Sequence, residues 1–134
     1  MTRRFASGGP YEQTVGYSRA VQAGPFVLVS GCTAVVDGAV TCVGDAYGQA
    51  QQAIANIGAA LEQAGLGLAE VIRTRIFVTD IGCWQDVARA HREAFGAAPP
   101  ASTMVQVAAL LDPAMLVEIE ADAYRDPRPG VGFL

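Results

Sequence analysis

Pro99 to Ala123 constrains the fold more than any other stretch, because it holds two short runs of strict alternation. Thr103, Val105 and Val107 fall on one side of the first run, and Ser102, Met104 and Gln106 on the other. After a turn at Asp112-Pro113, Val117, Ile119 and Ala121 share one side, and Glu118 and Glu120 the other. A period of two with apolar residues on one side marks a half-buried strand. The second side mixes Met, Gln and Ser with carboxylates. A purely solvated face would rarely carry that set, so the pattern points to a sheet whose second face meets a partner subunit or a ligand.

The rest of the chain supplies what such a sheet needs. Residues 1–11 are polar and Gly-rich, an N-terminal arm with a short strand near Arg4 to Ala6. Gly16 to Val21 and Phe26 to Ser30 read as strands. Thr33 to Val36 and Ala39 to Val43 flank Asp37-Gly38, a pair suited to the positive φ angles of a tight hairpin turn. Asp45 to Ala64 is the clearest helix, with Ala46, Ala50, Ala53, Ile54, Ile57, Leu61 and Ala64 on one stripe. Its small residues allow close approach to a sheet. Val71 to Thr79 is a strand, with Ile72, Thr74, Ile76 and Val78 on one side and Arg73, Arg75 and Phe77 on the other. A second helix spans Cys83 to Phe95, with Trp84, Val87, Ala88, His91 and Phe95 facing inward. Residues 125–134, rich in Pro and Gly, read as a flexible tail. The order of elements predicts one α+β domain over 1–134, a mixed sheet of about six strands with both helices on one face.

That leaves a second sheet face carrying Leu28, Ser30, Arg73, Arg75, Phe77, Met104, Gln106, Glu118 and Glu120. Leaving its apolar members in water would expose a sizeable patch. Burying its charges requires pairing, with Arg73 or Arg75 against Glu118 or Glu120.

The run PPASTMVQV followed by LVEIEA resembles the C-terminal signature of the RidA/YjgF family, also called endoribonuclease L-PSP. Val29-Ser30-Gly31, the helix with Asn56-Ile57, Val71 to Asp80, and Ala94-Phe95 follow the family's order and spacing, over roughly residues 12–124. The resemblance implies a chorismate-mutase-like homotrimer that binds a small carboxylate or imine ligand between adjacent subunits, without a cofactor or metal. The cleft positions carried over are Tyr17, Ser30, Gly31, Ser102, Thr103, Met104 and Glu118. The arginine that grips the substrate carboxylate in the family's deaminases falls at Ser102. Loss of that fork implies something other than ordinary 2-aminoacrylate deamination.

Each candidate has a functional and a structural reading. Glu118 is a water-positioning base, or a salt-bridged interface carboxylate. Tyr17 is a pocket hydroxyl, or an interface tyrosine. Ser102 makes room for a different ligand, or merely opens a strand. Arg75 (or Arg73) replaces the missing cation, or is a structural ion-pair partner. His91, the only histidine, is a core hydrogen-bonding residue or an acid–base group near the cleft. Cys32 has no visible thiolate-stabilising neighbour and reads as an inert thiol.

The balance of 9 Lys and Arg against 13 Asp and Glu contains no basic block, which argues against nucleic acid as a partner. The 3 cysteines show no metal-ligand spacing and no apolar leader follows Met1, a pattern expected of a cytoplasmic protein with reduced thiols. No apolar run is long enough to span a bilayer. Three functions remain open: an imine or enamine hydrolase, a non-catalytic metabolite-binding protein on the same scaffold, and a ribonuclease.

Overall fold

Strand β8 (Val117–Tyr124) shows the expected alternation in full: Val117, Ile119, Ala121 and Ala123 are buried, and the residues between them are half-buried. It lies near the centre of the sheet in a computed structural model that describes residues 2–126. Its neighbours are β3 (Phe26–Cys32) and β6 (Val71–Val78), both antiparallel to it. Outside β3 lie β2 (Ala20–Ala23) and β1 (Thr2–Phe5), and outside β6 lies β7 (Ala101–Gln106). The order is β1-β2-β3-β8-β6-β7, and among the described residues β6–β7 is the one parallel pair, so the sheet is mixed. A small separate hairpin joins β4 (Val35–Val36) to β5 (Ala39–Val40). Asp37 and Gly38 turn it with φ of 50° and 82°.

Helix α2 (Ala46–Gln63) starts where the Asp45 side chain accepts from the Gly48 amide at 2.9 Å, satisfying one of the free N–H groups of its first turn. Its stripe of Ala50, Ala53, Ile54, Ile57, Ala60 and Leu61 is buried against β3, β8 and the second long helix, α3 (Trp84–Phe95). Ile57, Leu61 and Ile119 are completely enclosed, and each such side chain contributes about 2–3 kcal/mol by leaving water. Both helices cover one face of the six-stranded sheet, the expected α+β architecture.

Several local readings change. The parallel register sets Ser102 beside Thr74, Met104 beside Ile76 and Gln106 beside Val78. Ser102, Met104 and Gln106 therefore lie on the helix side, with Met104 packed on the core, rather than on the face with Glu118. Thr103 and Val105 take that face instead, beside Arg75 and Phe77. Alternation alone fixes which residues share a side, not which side is inward. A register shift between Val71 and Arg73 buries Val71 and turns Ile72 out, 48% exposed. On α3, Ala90 takes an inward place and Trp84, at the first turn, is 49% exposed.

The N-terminal arm is partly sheet, since β1 pairs with β2. The strand expected from Gly16 begins only at Ala20, because a helical turn, α1 (Glu12–Val15), precedes it and Gly16 ends that turn at φ 89°. At the other end, the Arg125 amide donates to the Pro25 carbonyl at 2.6 Å and its guanidinium to the Ala64 carbonyl, so this residue is tied to the body. The remaining tail, 127–134, lies outside the described residues.

Candidate functional site

A cleft of about 630 Å³ opens between the N-terminal loop, the end of β3, the β4–β5 hairpin and one side of α2. Its wall includes Tyr11, Tyr17, Arg19, Gly31, Cys32 and Glu118. Three sequence-derived candidates, Tyr17, Gly31 and Glu118, thus share one cleft.

A backbone irregularity brings them together. Between β3 and β8 the pairing runs Val29 to Ala121 and then Cys32 to Ile119, so β3 carries one extra residue at Ser30-Gly31. Such a bulge bends a strand and frees its backbone groups from the ladder. The freed carbonyls of Ser30 and Gly31 accept from Nη1 of Arg19 at 3.1 and 2.8 Å. Ser30 Oγ donates to the Ser18 carbonyl at 2.7 Å, so this side chain is turned into the adjoining chain. Gly31 leaves space that Glu118 occupies: a Cβ there would stand 2.8 Å from the carboxyl carbon of Glu118.

Arg19 completes the wall, with Glu12 behind it. Arg19 Nη1 also reaches Cys32 Sγ at 3.1 Å, Nη2 donates to the Tyr17 hydroxyl at 3.1 Å, and Nε lies 3.7 Å from Glu12 Oε2. Glu12 accepts from the Ser7 amide at 3.1 Å, the Gly9 amide at 3.2 Å and the Ser7 hydroxyl. Burial alone would push the Glu12 carboxyl up, but the bonds from Ser7 and Gly9 and the Arg19 charge outweigh it and hold it below the ordinary value. Glu118 goes the other way. Burial raises it, the Glu120 charge adds to the rise, and Arg19 offsets only part. A half-buried carboxyl with raised affinity for protons, open to a cleft, can take a proton from water and return it. Burial likewise pushes the Cys32 thiol up despite Arg19, which fits a neutral thiol donating to the Ser30 carbonyl at 3.4 Å.

The remaining candidates do not line this cleft within one chain. Arg75, on the opposite face of the sheet from the helices, pairs with Glu120 at 3.3 Å and Asp122 at 3.4 Å. Ser102 stands at the exposed edge strand β7, where its hydroxyl is 2.8 Å from Thr74 Oγ1. The same Thr74 oxygen is 2.8 Å from His91 Nε2, and burial pulls the His91 ring below its ordinary pKa. Thr103 is exposed on the same edge strand. Among the described residues no three His, Cys, Asp or Glu side chains converge in a metal-binding arrangement, and no helix is long and apolar enough to cross a membrane.

Arg19, Glu12 and Tyr11 were missed by sequence reasoning. Tyr17 and Arg19 are two residues apart, and reading that spacing as one side of an extended segment would have put Arg19 beside Tyr17. Nothing in the sequence signals that Glu12, a carboxylate in a polar arm, is buried.

The cleft can be set beside known proteins. The chain is 38% identical over 123 residues to a protein of Streptomyces coelicolor, covering 92% of each. It is 35% identical over 124 residues to a 2-iminobutanoate/2-iminopropanoate deaminase of Salmonella typhimurium, covering 90% of this chain and 91% of that one. Among solved structures, a YjgF/YER057c/UK114 family member from Mycobacterium tuberculosis matches with TM-score 0.84 and 48% identity, over 92% of this chain and 99% of that one. The YjgF gene product of E. coli matches with TM-score 0.77 and 30% identity, over 92% and 94%. The family model described as Endoribonuclease L-PSP matches residues 10–125, nearly the whole described chain, and the protein belongs to that family, the RidA/YjgF proteins.

Proposed function

We propose that this protein hydrolyses the C=N bond of a small imine, or of the enamine in equilibrium with it, in a cleft completed by a neighbouring subunit of a homotrimer. The observation that carries the reading is the Glu118 carboxylate, seated on Gly31, facing a cleft shared with Tyr17 and with a raised pKa. Ionised Glu118 accepts a proton from water as the oxygen attacks the imine carbon. It then delivers a proton to nitrogen, and the carbinolamine collapses to a carbonyl product and ammonia. Tyr17 supplies a hydroxyl that orients the water or the substrate.

Ser102 sets the substrate apart from that of an ordinary 2-aminoacrylate deaminase. A serine hydroxyl offers one neutral hydrogen bond where an arginine offers a charged fork. Ser102 and Thr103, on the edge of β7, come to the cleft from the adjacent subunit in this reading. His91 acts behind Ser102 through Thr74, and Met104 supports the edge from within the core. Arg75 serves as a carboxylate anchor only if a ligand draws it from Glu120 and Asp122, so the reading favours a substrate whose recognition does not depend on a free cation.

The same departure at Ser102 supports a second reading, a non-catalytic metabolite-binding protein on this scaffold. RNA cleavage has less support, since the chain is acidic and His91, its only histidine, is bonded behind the sheet edge.

The deciding experiment makes a panel of imines in situ with amino-acid and amine oxidases and traps surviving imine with semicarbazide. Faster imine loss with the protein, abolished by Glu118→Ala, supports hydrolysis. No acceleration across the panel, with a folded trimer by sedimentation, rejects it in favour of binding.

A further inference from the structure

The strongest unassigned feature is the buried ion pair that Arg19, in the cleft wall, makes with Glu12 behind it. Arg19 and Glu12 side chains are only 12% and 8% exposed. Enclosing two charges is costly unless other groups complete their bonding. Glu12 meets that cost with three donors from Ser7 and Gly9. Arg19 meets it with the carbonyls of Ser30 and Gly31, the Cys32 sulfur and the Tyr17 hydroxyl. Those acceptors are not scattered. They are the three consecutive residues of the β3 bulge and the cleft tyrosine. A planar fork with five donors can hold such a set in one geometry, and a flexible ammonium cannot.

We propose that Arg19 is the positioning residue of this site: held by Glu12, its guanidinium pins the Ser30–Gly31–Cys32 bulge and the Tyr17 hydroxyl, and so fixes the seat on which the Glu118 carboxylate rests. The inference deepens the imine-hydrolase reading and rests on it for its catalytic part. Arg19 does not touch the substrate. It acts through the bulge, and through its charge, which opposes the upward pull of burial and Glu120 on Glu118. The titratable groups around Glu118 are Glu120 on its own strand, Cys32 on β3, and Arg19 and Tyr17 from the segment before β2.

The test combines a substrate-free measurement with a kinetic one. Glu118 is titrated by carboxyl carbon NMR in the wild type, Arg19→Met and Arg19→Lys, and imine hydrolysis is followed against pH for the same proteins. With Arg19→Met the Glu118 titration moves to higher pH, and the rise in activity with pH moves the same way, because the ionised base forms later. A displaced seat lowers kcat about tenfold to a hundredfold with a smaller change in KM. Arg19→Lys restores much of the titration, because the charge returns, but not kcat, because the fork does not. If Arg19→Met is unstable, Glu12→Gln, which loosens the same guanidinium while keeping its charge, lowers kcat with little change in the Glu118 titration. Coincident Glu118 titrations in the wild type and Arg19→Met, or full kcat in a folded Arg19→Lys or Glu12→Gln variant, overturn the proposal. A wild type without imine hydrolysis sinks the functional reading alone, and the titration of Glu118 still decides whether Arg19 governs its carboxyl.

Discussion

Gly31→Ala separates the chemistry of the cleft from the stability of the fold. Gly31 is not among the residues with positive φ, so alanine can adopt its backbone angles. Its new methyl group would stand 2.8 Å from the carboxyl carbon of Glu118 and 3.0 Å from its Cγ. Glu118 Oε2 would stand closer still, so restoring ordinary contact near 3.4 Å requires the carboxylate oxygen to move by roughly 1.2 Å. The displaced group is the end of a flexible side chain beside an open cleft, so the move strains little. Against it stands the gain from restricting the unfolded chain, about 0.4–1 kcal/mol for Gly→Ala at a compatible site. The net change in stability is therefore within about 1 kcal/mol of zero, read as a small shift in the urea midpoint. Catalysis is far less tolerant. A misplacement of about 1 Å costs on the order of a hundredfold, so a tenfold to hundredfold fall in kcat is expected in the imine assay. A Gly31→Ala protein with wild-type kcat would falsify the claim that the seat of Glu118 sets its chemistry. A loss of several kcal/mol in stability would show instead that the bulge cannot accept a side chain at all.

Other perturbations report on neighbouring parts of the argument. Glu118 has a raised folded pKa, so its ionised form is disfavoured by folding at pH values above that pKa. Glu118→Gln should abolish hydrolysis yet raise the melting temperature at neutral pH, with the difference vanishing below the ordinary glutamate range. Glu12 has a depressed folded pKa, so its contribution is present above the unfolded value and lost as pH falls through the folded one. Glu12→Gln should accordingly lower the melting temperature at neutral pH and converge with the wild type in acid. Gln49, fully buried, donates to the Ala114 carbonyl at 2.8 Å and accepts from the Leu116 amide at 2.8 Å. Gln49→Ala leaves both groups unpaired beside a cavity and should cost about 3 kcal/mol in chemical denaturation; a loss under 1 kcal/mol would mean that water replaces the side chain fully. Ser102 is exposed, so Ser102→Arg should fold, losing about 1 kcal/mol with its bond to Thr74. A gain of activity on imines that carry a carboxylate would show that the cleft keeps the rest of a deaminase site, and no gain would mean that it has been remodelled.

The fold was legible where side-chain periodicity meets a single environment. β8 alternates without fault because one side faces the helices and the other carries its charges, and α2 keeps its small-residue stripe from Ala46 to Leu61. The sequence was silent where the answer depends on a partner strand. Ser102, Met104 and Gln106 sit on the helix side because β7 pairs in parallel with β6 after the α3 crossover, and nothing local to β7 encodes that register. Ile72 turned outward for the same reason, since the shift between Val71 and Arg73 belongs to the pairing with β8.

The candidate site divides along the same line. Gly31 and Glu118 were readable because a glycine in a strand and a carboxylate on a sheet face each break a local rule. Arg19 broke none: in sequence it is one more polar residue after Tyr17 and Ser18. Its importance arises only when Glu12 folds back to neutralise it and the β3 bulge releases two carbonyls toward it. The cation expected from the family's pattern is absent at Ser102, and the cation on the outer sheet face, Arg75, is bonded to two carboxylates. The cation that does line the cleft holds the wall instead of offering a free fork to a ligand. On the proposed reading, a cleft built in this way recognises its substrate through Tyr17, the bulge backbone and a single carboxyl, and a ligand that needs a strong anion clamp is the wrong ligand for it.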